Sequence, residues 1–233
     1  MADPPLAASS WLIDWALCLA ASLLLVAVHL RLLARQPEPD PMVPGAEGKT
    51  PYALLAVSGR VRLVCLLGAL GSSAATAAAG PLVAPAWLVW GSGAVVLVGV
   101  DAVSTWIPRG LTRLVLGELA AALALGAALA RDPRPLAGAA AGAVAVGGFF
   151  WLVWRSGAGL GFADVRLAIG LGALTGSSGV GVAGVVGAVM AAAGIGALTG
   201  IVHGLGRTRR EPFAYGPALW AGAYACLVQR LLH

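Results

Sequence analysis

Residues 86–104 read AWLVWGSGAVVLVGVDAVS, and this stretch decides the fold class. Asp101 is its only charged residue, and the whole stretch approaches the roughly 20 residues that cross a hydrocarbon layer of about 30 Å as a helix. Similar apolar runs recur along the chain, at about 11–33, 56–79, 86–104, 111–130, 136–154, 165–177, 180–202 and 213–232. The sequence therefore predicts an all-α, polytopic membrane helical bundle with about eight transmembrane helices.

Composition excludes most other classes of protein. Hydrophobic residues make up 59% of the chain and charged residues 11%, whereas soluble domains have roughly 45–50% and about 25%. The formal net charge of +5 is better explained by orientation in a membrane than by binding to nucleic acid, which we do not expect. Frequent Ala, Gly, Val, Leu and Arg with a single lysine are typical of a GC-rich bacterial genome.

Three regions are predicted along the chain. Residues 1–34 form an N-terminal transmembrane helix, which we expect to be retained because no basic residue precedes its apolar run. Residues 35–55 are rich in proline and predict an extended cytoplasmic linker. Residues 56–233 form a membrane-embedded helical domain. Within it, 165–202 is too long for one crossing, and Ser177-Ser178-Gly179 is the natural turn.

Basic residues predict the orientation of the helices. With eight crossings, three basic residues fall on one side, namely Arg131, Arg134 and Arg230. The larger group on the other side comprises Arg31, Arg35, Lys49, Arg60, Arg62, Arg109, Arg113, Arg155, Arg166, Arg207, Arg209 and Arg210. Positive loops stay in the cytoplasm, so the larger group marks the cytoplasmic face and both termini lie outside.

Common metal, thiol and nucleotide sites are not indicated. His29, His203 and His233 are too scattered for a metal site, and no cysteines are paired as C-x-x-C. The glycines at 157–161 follow a membrane helix instead of a strand, which argues against a phosphate loop. We therefore expect no metal and no cofactor.

Carboxylates near the hydrocarbon layer are costly and tend to mark function. Asp101 and Asp164 belong to different predicted helices, yet both fall at the cytoplasmic boundary of the membrane. Asp164 opens a helix, where capping alone accounts for an Asp, whereas Asp101 lies near a helix C-terminus, where the dipole disfavours an anion. Glu118, two turns into its helix, is expected to neutralise a nearby arginine or to orient a site group.

Three segments carry a family resemblance. The first is Asp101-x5-Ile107-Pro108 followed by Leu111-Thr112, and the second is Gly159-Leu160-Gly161-Phe162-Ala163-Asp164. The third is Pro212-Phe213-Ala214-Tyr215-Gly216-Pro217. In this order they resemble the first-Asp, Gly-x-Gly-Asp and Pro-Phe-Gly-Pro segments of the type IV prepilin (leader) peptidases, which are membrane aspartic peptidases of the GxGD type.

The resemblance implies an activity and a site. Asp101 and Asp164 would be the catalytic pair, and Gly159, Gly161, Ala163 and Pro108 would allow substrate backbone to approach. The enzyme would cut the basic leader from a prepilin-like protein at the cytoplasmic boundary of the bacterial inner membrane. Its partners would be that substrate, the lipid bilayer and pilus-assembly proteins. We expect Asp164 to act as the base and Asp101 to hold the proton, because their helix ends carry opposite dipoles.

The chain departs from the family pattern at several points. Ala163 replaces the glycine before the second Asp, Arg109 replaces a polar residue, and Ala214-Tyr215 interrupts the third segment. The linker at 35–55 lacks the cysteine pairs that larger members carry and that are associated with N-methylation. The resemblance thus implies a short form that cleaves without methylating. Two other readings stay open, a cleavage-inactive homologue and a non-catalytic transporter or pilus-assembly component.

Overall fold

The computed structural model describes residues 4–39, 46, 48–157, 159–206 and 214–232. All regular elements in these ranges are helical. The helices are α1 Pro4–Leu33, α2 Tyr52–Val57, α3 Gly59–Ala78, α4 Ala84–Val89, α5 Val95–Ser104, α6 Arg109–Ala130, α7 Arg134–Arg155, α8 Phe162–Gly176, α9 Gly181–Gly206 and α10 Gly216–Leu232. A π-helical turn, Trp90–Ala94, joins α4 to α5.

Six helical stretches of the described chain are long and apolar enough to span a membrane. They are Ser10–Leu33, Gly59–Ala78, Ala84–Ser104, Arg109–Ala130, Arg134–Arg155 and Gly181–Val202. Their outward surfaces carry large exposed apolar side chains such as Leu129, Val144 and Val182, which suit contact with lipid. The chain is therefore a multi-pass membrane protein, and the predicted all-α bundle is confirmed.

Each of the eight predicted apolar runs coincides with helix in the described part of the chain. Helices α8 and α10 have 15 and 17 residues, fewer than the roughly 20 that usually span a bilayer. The number of eight crossings therefore remains a prediction. The predicted turn at Ser177–Gly179 separates α8 from α9, and Gly179 has a φ of 80°, a conformation that favours glycine.

The stretch Ala84–Ser104 is the central helix of the bundle. Trp87, Trp90 and Leu97 on it are fully buried, and its neighbours include α3, α6 and α10. Trp90 and Trp220 exchange hydrogen bonds, each indole Nε1 donating to the other residue's carbonyl oxygen at 3.2 and 3.1 Å. Because Trp220 lies on α10, this reciprocal pair fixes α10 against the central helix.

Glycines bring α7 and α8 into close contact. A Cβ atom added to Gly142 would collide with the carbonyl oxygen of Gly172, and one added to Gly138 would collide with that of Gly176. Small residues replace hydrophobic burial as the packing device between helices in lipid. This close approach fixes the position of α8, which carries Asp164 at its start.

The linker is less extended than the sequence predicts. Tyr52–Val57 forms the short helix α2, so the predicted extended segment 35–55 is wrong at its C-terminal end. Pro51 supplies the N-cap with φ −54°, and Tyr52, Leu55 and Ala56 are buried against the bundle. Burial of this apolar face, together with the hydrogen bond from Tyr52 N–H to Glu38 Oε1 at 2.8 Å, outweighs the extended tendency of the prolines.

The topology can be tested by cysteine labelling. In a chain whose three cysteines are replaced by alanine, Arg35→Cys and Arg209→Cys probe the linker and the basic segment that follows α9 in the sequence, and Arg134→Cys probes the start of α7. Residue 209 lies outside the described ranges. The clustering of basic residues leads us to expect the first two sites to react from one side of the membrane and the third from the other, measured with a membrane-impermeant maleimide. Labelling of residues 35 and 209 from opposite sides would refute the topology.

Candidate active site

One cavity brings together the residues that the sequence singled out. It has a volume of about 470 Å³, and its lining includes Asp101, Asp164, Gly159, Gly161 and Ala163. These residues come from the end of α5, the loop after α7 and the first turn of α8. The predicted convergence of the two aspartates at one site is thus what the fold produces.

Pro108 occupies a different position from the one expected. It lines a neighbouring cavity of about 350 Å³ beside the linker, together with Gln36, Glu38 and Tyr52. Trp106 lines both cavities and forms the partition between them. Pro108 itself serves as the N-cap of α6 in extended conformation, so its direct role is to redirect the chain after α5.

Asp101 is buried near the end of α5, with 4% of its surface exposed. The helix ends at Ser104, and its C-cap Thr105 has a φ of 57°, in the left-handed region. The Asp101 Oδ2 atom accepts a hydrogen bond of 2.9 Å from the backbone N–H of Gly216, the first residue of α10. The carboxylate therefore lies at the positive N-terminal end of a helix from the other end of the chain.

This contact removes the basis for the expected division of roles. The sequence placed Asp101 at an unfavourable helix C-terminus, which is true of α5 alone. The N-terminus of α10 compensates because it supplies a donor and a favourable dipole to the same carboxylate. The premise that only Asp164 has a helix N-terminus to stabilise its anion is therefore wrong.

Asp164 is also buried, with 7% exposed, and it caps its own helix as expected. Its Oδ2 atom accepts a hydrogen bond of 3.0 Å from Gly161 N–H, and its own N–H donates to the Gly161 carbonyl oxygen at 3.1 Å. This reciprocal arrangement satisfies two backbone groups at the start of α8. It also fixes the carboxylate toward the cavity.

The two carboxylates are anchored in the same way. Each uses Oδ2 to accept one backbone N–H, and within the described ranges Oδ1 of each has no hydrogen-bond partner. Asp164 lies close enough to Asp101 for the two anions to repel each other. Two carboxylates so placed in a partly desolvated cavity favour a state in which they share one proton.

The loop before α8 depends on glycine for its conformation. Gly157 and Gly159 have φ values of 75° and 83°, which L-residues with side chains rarely adopt. Beside Gly159 there is open space, while Gly161 adjoins the Asp164 carboxylate. The loop thus presents bare backbone to the cavity, as the resemblance implied. Ala163 is half-buried in the same wall.

Lys49, at the rim of the cavity, was missed by sequence reasoning. Lys49 donates from Nζ to Ser104 O at 2.8 Å and to Thr105 Oγ1 at 3.2 Å, and lies 5.8 Å from the centre of the Trp106 ring. Burial lowers the pKa of this lysine. Lys49 thereby attaches the linker to the rim of the cavity and complements the C-terminal carbonyl groups of α5. Its being the single lysine of the chain was the only available signal.

Glu118 takes no part in the site. Its Oε2 atom lies 2.9 Å from Nε2 of His29 on α1, instead of meeting an arginine or orienting a site group as expected. The Nδ1 atom of His29 lies 2.8 Å from the carbonyl oxygen of Leu25, which can only accept, so Nδ1 carries a proton. The contact is a polar link between α1 and α6.

The chemistry of the cavity is that of two acids. In the described part of the chain, no group of three or more His, Cys, Asp or Glu side chains is arranged to hold a metal ion. What the cavity does present is a carboxylate pair, bare glycine backbone and two indole rings, those of Trp106 and Trp154. This arrangement suits acid–base attack on an extended backbone.

Comparisons with protein-family models, with curated proteins and with solved structures each returned no match for this chain.

Proposed function

We propose that this chain is a membrane-embedded aspartic endopeptidase that removes the basic leader of a prepilin-like protein. The observation that carries the proposal is the pairing of Asp101 and Asp164 in one cavity, each held through Oδ2 by a backbone N–H. Buried carboxylates near a membrane are costly, and capping of α8 accounts for Asp164 but not for a second acid beside it.

Convergence of the three resembling segments supports the same conclusion. The first segment supplies Asp101, the second supplies Asp164 with its glycines, and the third supplies the Gly216 N–H that holds Asp101. The segments lie far apart in the sequence, since 115 positions separate Asp101 from Gly216. Helix packing alone gives no reason for two of these segments to line one cavity and for the third to hold its first carboxylate.

The chemistry follows from the carboxylate pair. The ionised carboxylate takes a proton from a water molecule, whose oxygen attacks the scissile carbonyl carbon. The protonated carboxyl then gives its proton to the leaving nitrogen as the carbon–nitrogen bond breaks. One proton is gained and one is given, so the pair returns to a singly protonated state. The anchored Oδ2 atoms leave both Oδ1 atoms for water and substrate.

The proposed setting is the bacterial inner membrane, with the cavity at the cytoplasmic face and both termini outside. Basic residues support this orientation. Arg155 is the last residue of α7, Arg166 lies near the start of α8, and Arg109 is the first residue of α6, so all three lie at the helix ends next to the segments that carry the two acids. A prepilin-like substrate carries its basic leader in the cytoplasm and its apolar helix in the bilayer. Its cleavage point would therefore lie at the depth of Asp101 and Asp164.

Replacement of either acid by its amide tests the proposal. Asp101→Asn and Asp164→Asn should each lower prepilin cleavage by about 10²–10⁴-fold, because Asn cannot exchange the shared proton. Asn caps helices about as well as Asp, so expression and membrane insertion should stay near normal. Cleavage is measured by the size shift of a co-expressed prepilin in a strain that lacks other prepilin peptidases.

Asp132→Asn is the matched control. The Asp132 Oδ1 atom accepts a hydrogen bond of 3.0 Å from Arg134 N–H, so it satisfies a backbone group at the start of α7 without lining the proposed cavity. The Asp132→Asn variant should cleave prepilin at the normal rate. Full cleavage by either Asp101→Asn or Asp164→Asn would exclude the two-aspartate mechanism, whereas no cleavage by the unsubstituted protein would favour the non-catalytic reading.

Gly216→Ala tests the anchoring of Asp101 without removing an acid. A Cβ atom at this position would lie 2.6 Å from Asp101 Oδ2 and 3.2 Å from Leu167 Cδ1, so the carboxylate must move. Displacement of a catalytic group by about 1 Å costs up to about 10²-fold, and we expect a loss of 10-fold or more in initial rate. Gly200→Ala, which has open space beside it on α9, should have no effect. Equal rates for the two variants would show that Gly216 does not position Asp101.

A methylation assay tests whether this chain, which lacks the cysteine pairs of the larger family members, cleaves without methylating. Purified protein incubated with prepilin and S-adenosylmethionine should give a shortened chain with an unmodified N-terminus, since residues 35–55 contain no cysteine. Mass spectrometry of the new N-terminal peptide gives the answer. A mass increase of one methyl group would show that methylation by this protein does not need the cysteine pairs.

A further inference from the structure

Three arginines cluster beside the bundle at the boundary where the carboxylates lie. Arg109 and Arg113 are one turn apart on α6 and exposed, and Arg166 lies near the start of α8. Both α6 guanidinium groups lie close enough to Arg166 to repel it. Cations gathered in this way are costly unless an anion joins them.

No carboxylate of the described part of the chain forms a salt bridge with this cluster, although Glu38 lines the linker cavity together with Arg109. The one ion pair in that part of the chain is His29–Glu118, and none of the three arginines has a carboxylate within salt-bridge distance there. Asp164 attracts Arg166, but this acid belongs to the pair that shares a proton. The Nε atom of Arg166 is buried and has no hydrogen-bond partner in the described ranges. An N–H donor of a cation left in this state indicates a missing acceptor.

An apolar groove begins one turn deeper on the same two helices. It has a volume of about 270 Å³ and lies between α6, α7 and α8. Its lining includes Leu116 and Ala120 on α6, Ala140 on α7, and Ile169 and Ala173 on α8. Leu116 and Ile169 each follow an arginine of the cluster by three residues, about 4.5 Å along the helix axis. Arg113 and Arg166 therefore lie about one turn above residues that line the groove.

The lining of the groove and the cations beside it favour one kind of occupant. The groove offers almost only apolar surface. Three arginines lie one turn nearer the ends of the same helices. A lipid that joins an acyl chain to an anionic phosphate matches both features.

We propose that Arg109, Arg113 and Arg166 bind the phosphate of an anionic phospholipid whose acyl chain occupies the groove between α6, α7 and α8. Arginine pairs with phosphate through its fork of N–H donors, and basic pockets between transmembrane helices on the cytoplasmic side bind anionic headgroups. The site is separate from the carboxylate cavity, although α8 contributes to both. The proposal stands whether or not the chain is a peptidase.

Native mass spectrometry of the purified full-length protein tests the site. The protein is incubated in detergent with equal amounts of phosphatidylglycerol and phosphatidylcholine that carry identical acyl chains. The unsubstituted protein should retain phosphatidylglycerol in excess. The exposed pair Arg109→Gln/Arg113→Gln should lower this retention by about 10-fold or more, since each basic side chain near a membrane surface contributes about 1 kcal/mol.

Matched variants distinguish binding at this site from attraction of anionic lipid by any exposed arginine. Arg31→Gln/Arg60→Gln removes two exposed arginines from the same predicted face, away from the cluster, and should retain phosphatidylglycerol normally. Ala120→Leu/Ala140→Leu fills the groove at two exposed positions and should lower retention of long-chain lipid. Equal loss in the control pair, or no loss in either test variant, would overturn the proposal.

Competition experiments show whether the bound phosphate belongs to a lipid headgroup or is a free anion. Long-chain phosphatidylglycerol should displace the retained lipid, whereas inorganic phosphate and dihexanoyl phosphatidylglycerol at the same concentration should not, because they cannot fill the groove. Displacement by inorganic phosphate to the same extent would show a free-anion site and would overturn the assignment to lipid. No cleavage is measured, so failure here is distinct from failure of the peptidase proposal.

Discussion

The hydrogen bond from Gly216 N–H to the Asp101 carboxylate joins the start of the last helix to the end of the central one. It satisfies a buried acid and an N-terminal backbone group of α10 at once, and each would be costly alone in a region of low dielectric. The reciprocal Trp90–Trp220 hydrogen bonds hold the same two helices further into the bundle. Together the two contacts prevent α10 from sliding along α5. The cavity between α5 and α8 keeps its shape because α10 packs against both helices.

Apolar periodicity was sufficient to locate most of the fold. In lipid, a helix is the simplest way to satisfy every backbone group within one segment, so long apolar runs leave few alternatives. The two aspartates could also be placed at one depth, because alternating crossings fix which helix ends share a face. Depth is a one-dimensional property that follows from counting residues. The same counting cannot place α2, whose formation depends on burial of Tyr52 and Leu55 against helices elsewhere in the chain.

Lateral contacts between helices were beyond the reach of the sequence. The π-helical turn at Trp90–Ala94 is not marked by proline and lies in an otherwise regular apolar run. The partners of Asp101 and Glu118, namely Gly216 and His29, are 115 and 89 positions away. Nothing in the local sequence pattern connects such residues, since many small or polar residues of other helices could form the same hydrogen bond. Capping of α8 by Asp164 was predictable because donor and acceptor are three residues apart.

Helix α8 contributes to three structural features although it has only 15 residues. Its first turn carries Asp164 and Arg166, its middle lines the apolar groove, and Gly172 and Gly176 press against α7. The glycine contacts allow little movement because backbone meets backbone, so α8 is held rigidly from its far end. A rigid α8 fixes the height of Asp164 relative to Asp101. It also places Arg166 above the groove, which means that an anion bound to Arg166 would act on the same helix that carries the second acid. The position of one short helix therefore determines the position of a cation, of an apolar groove and of the second acid.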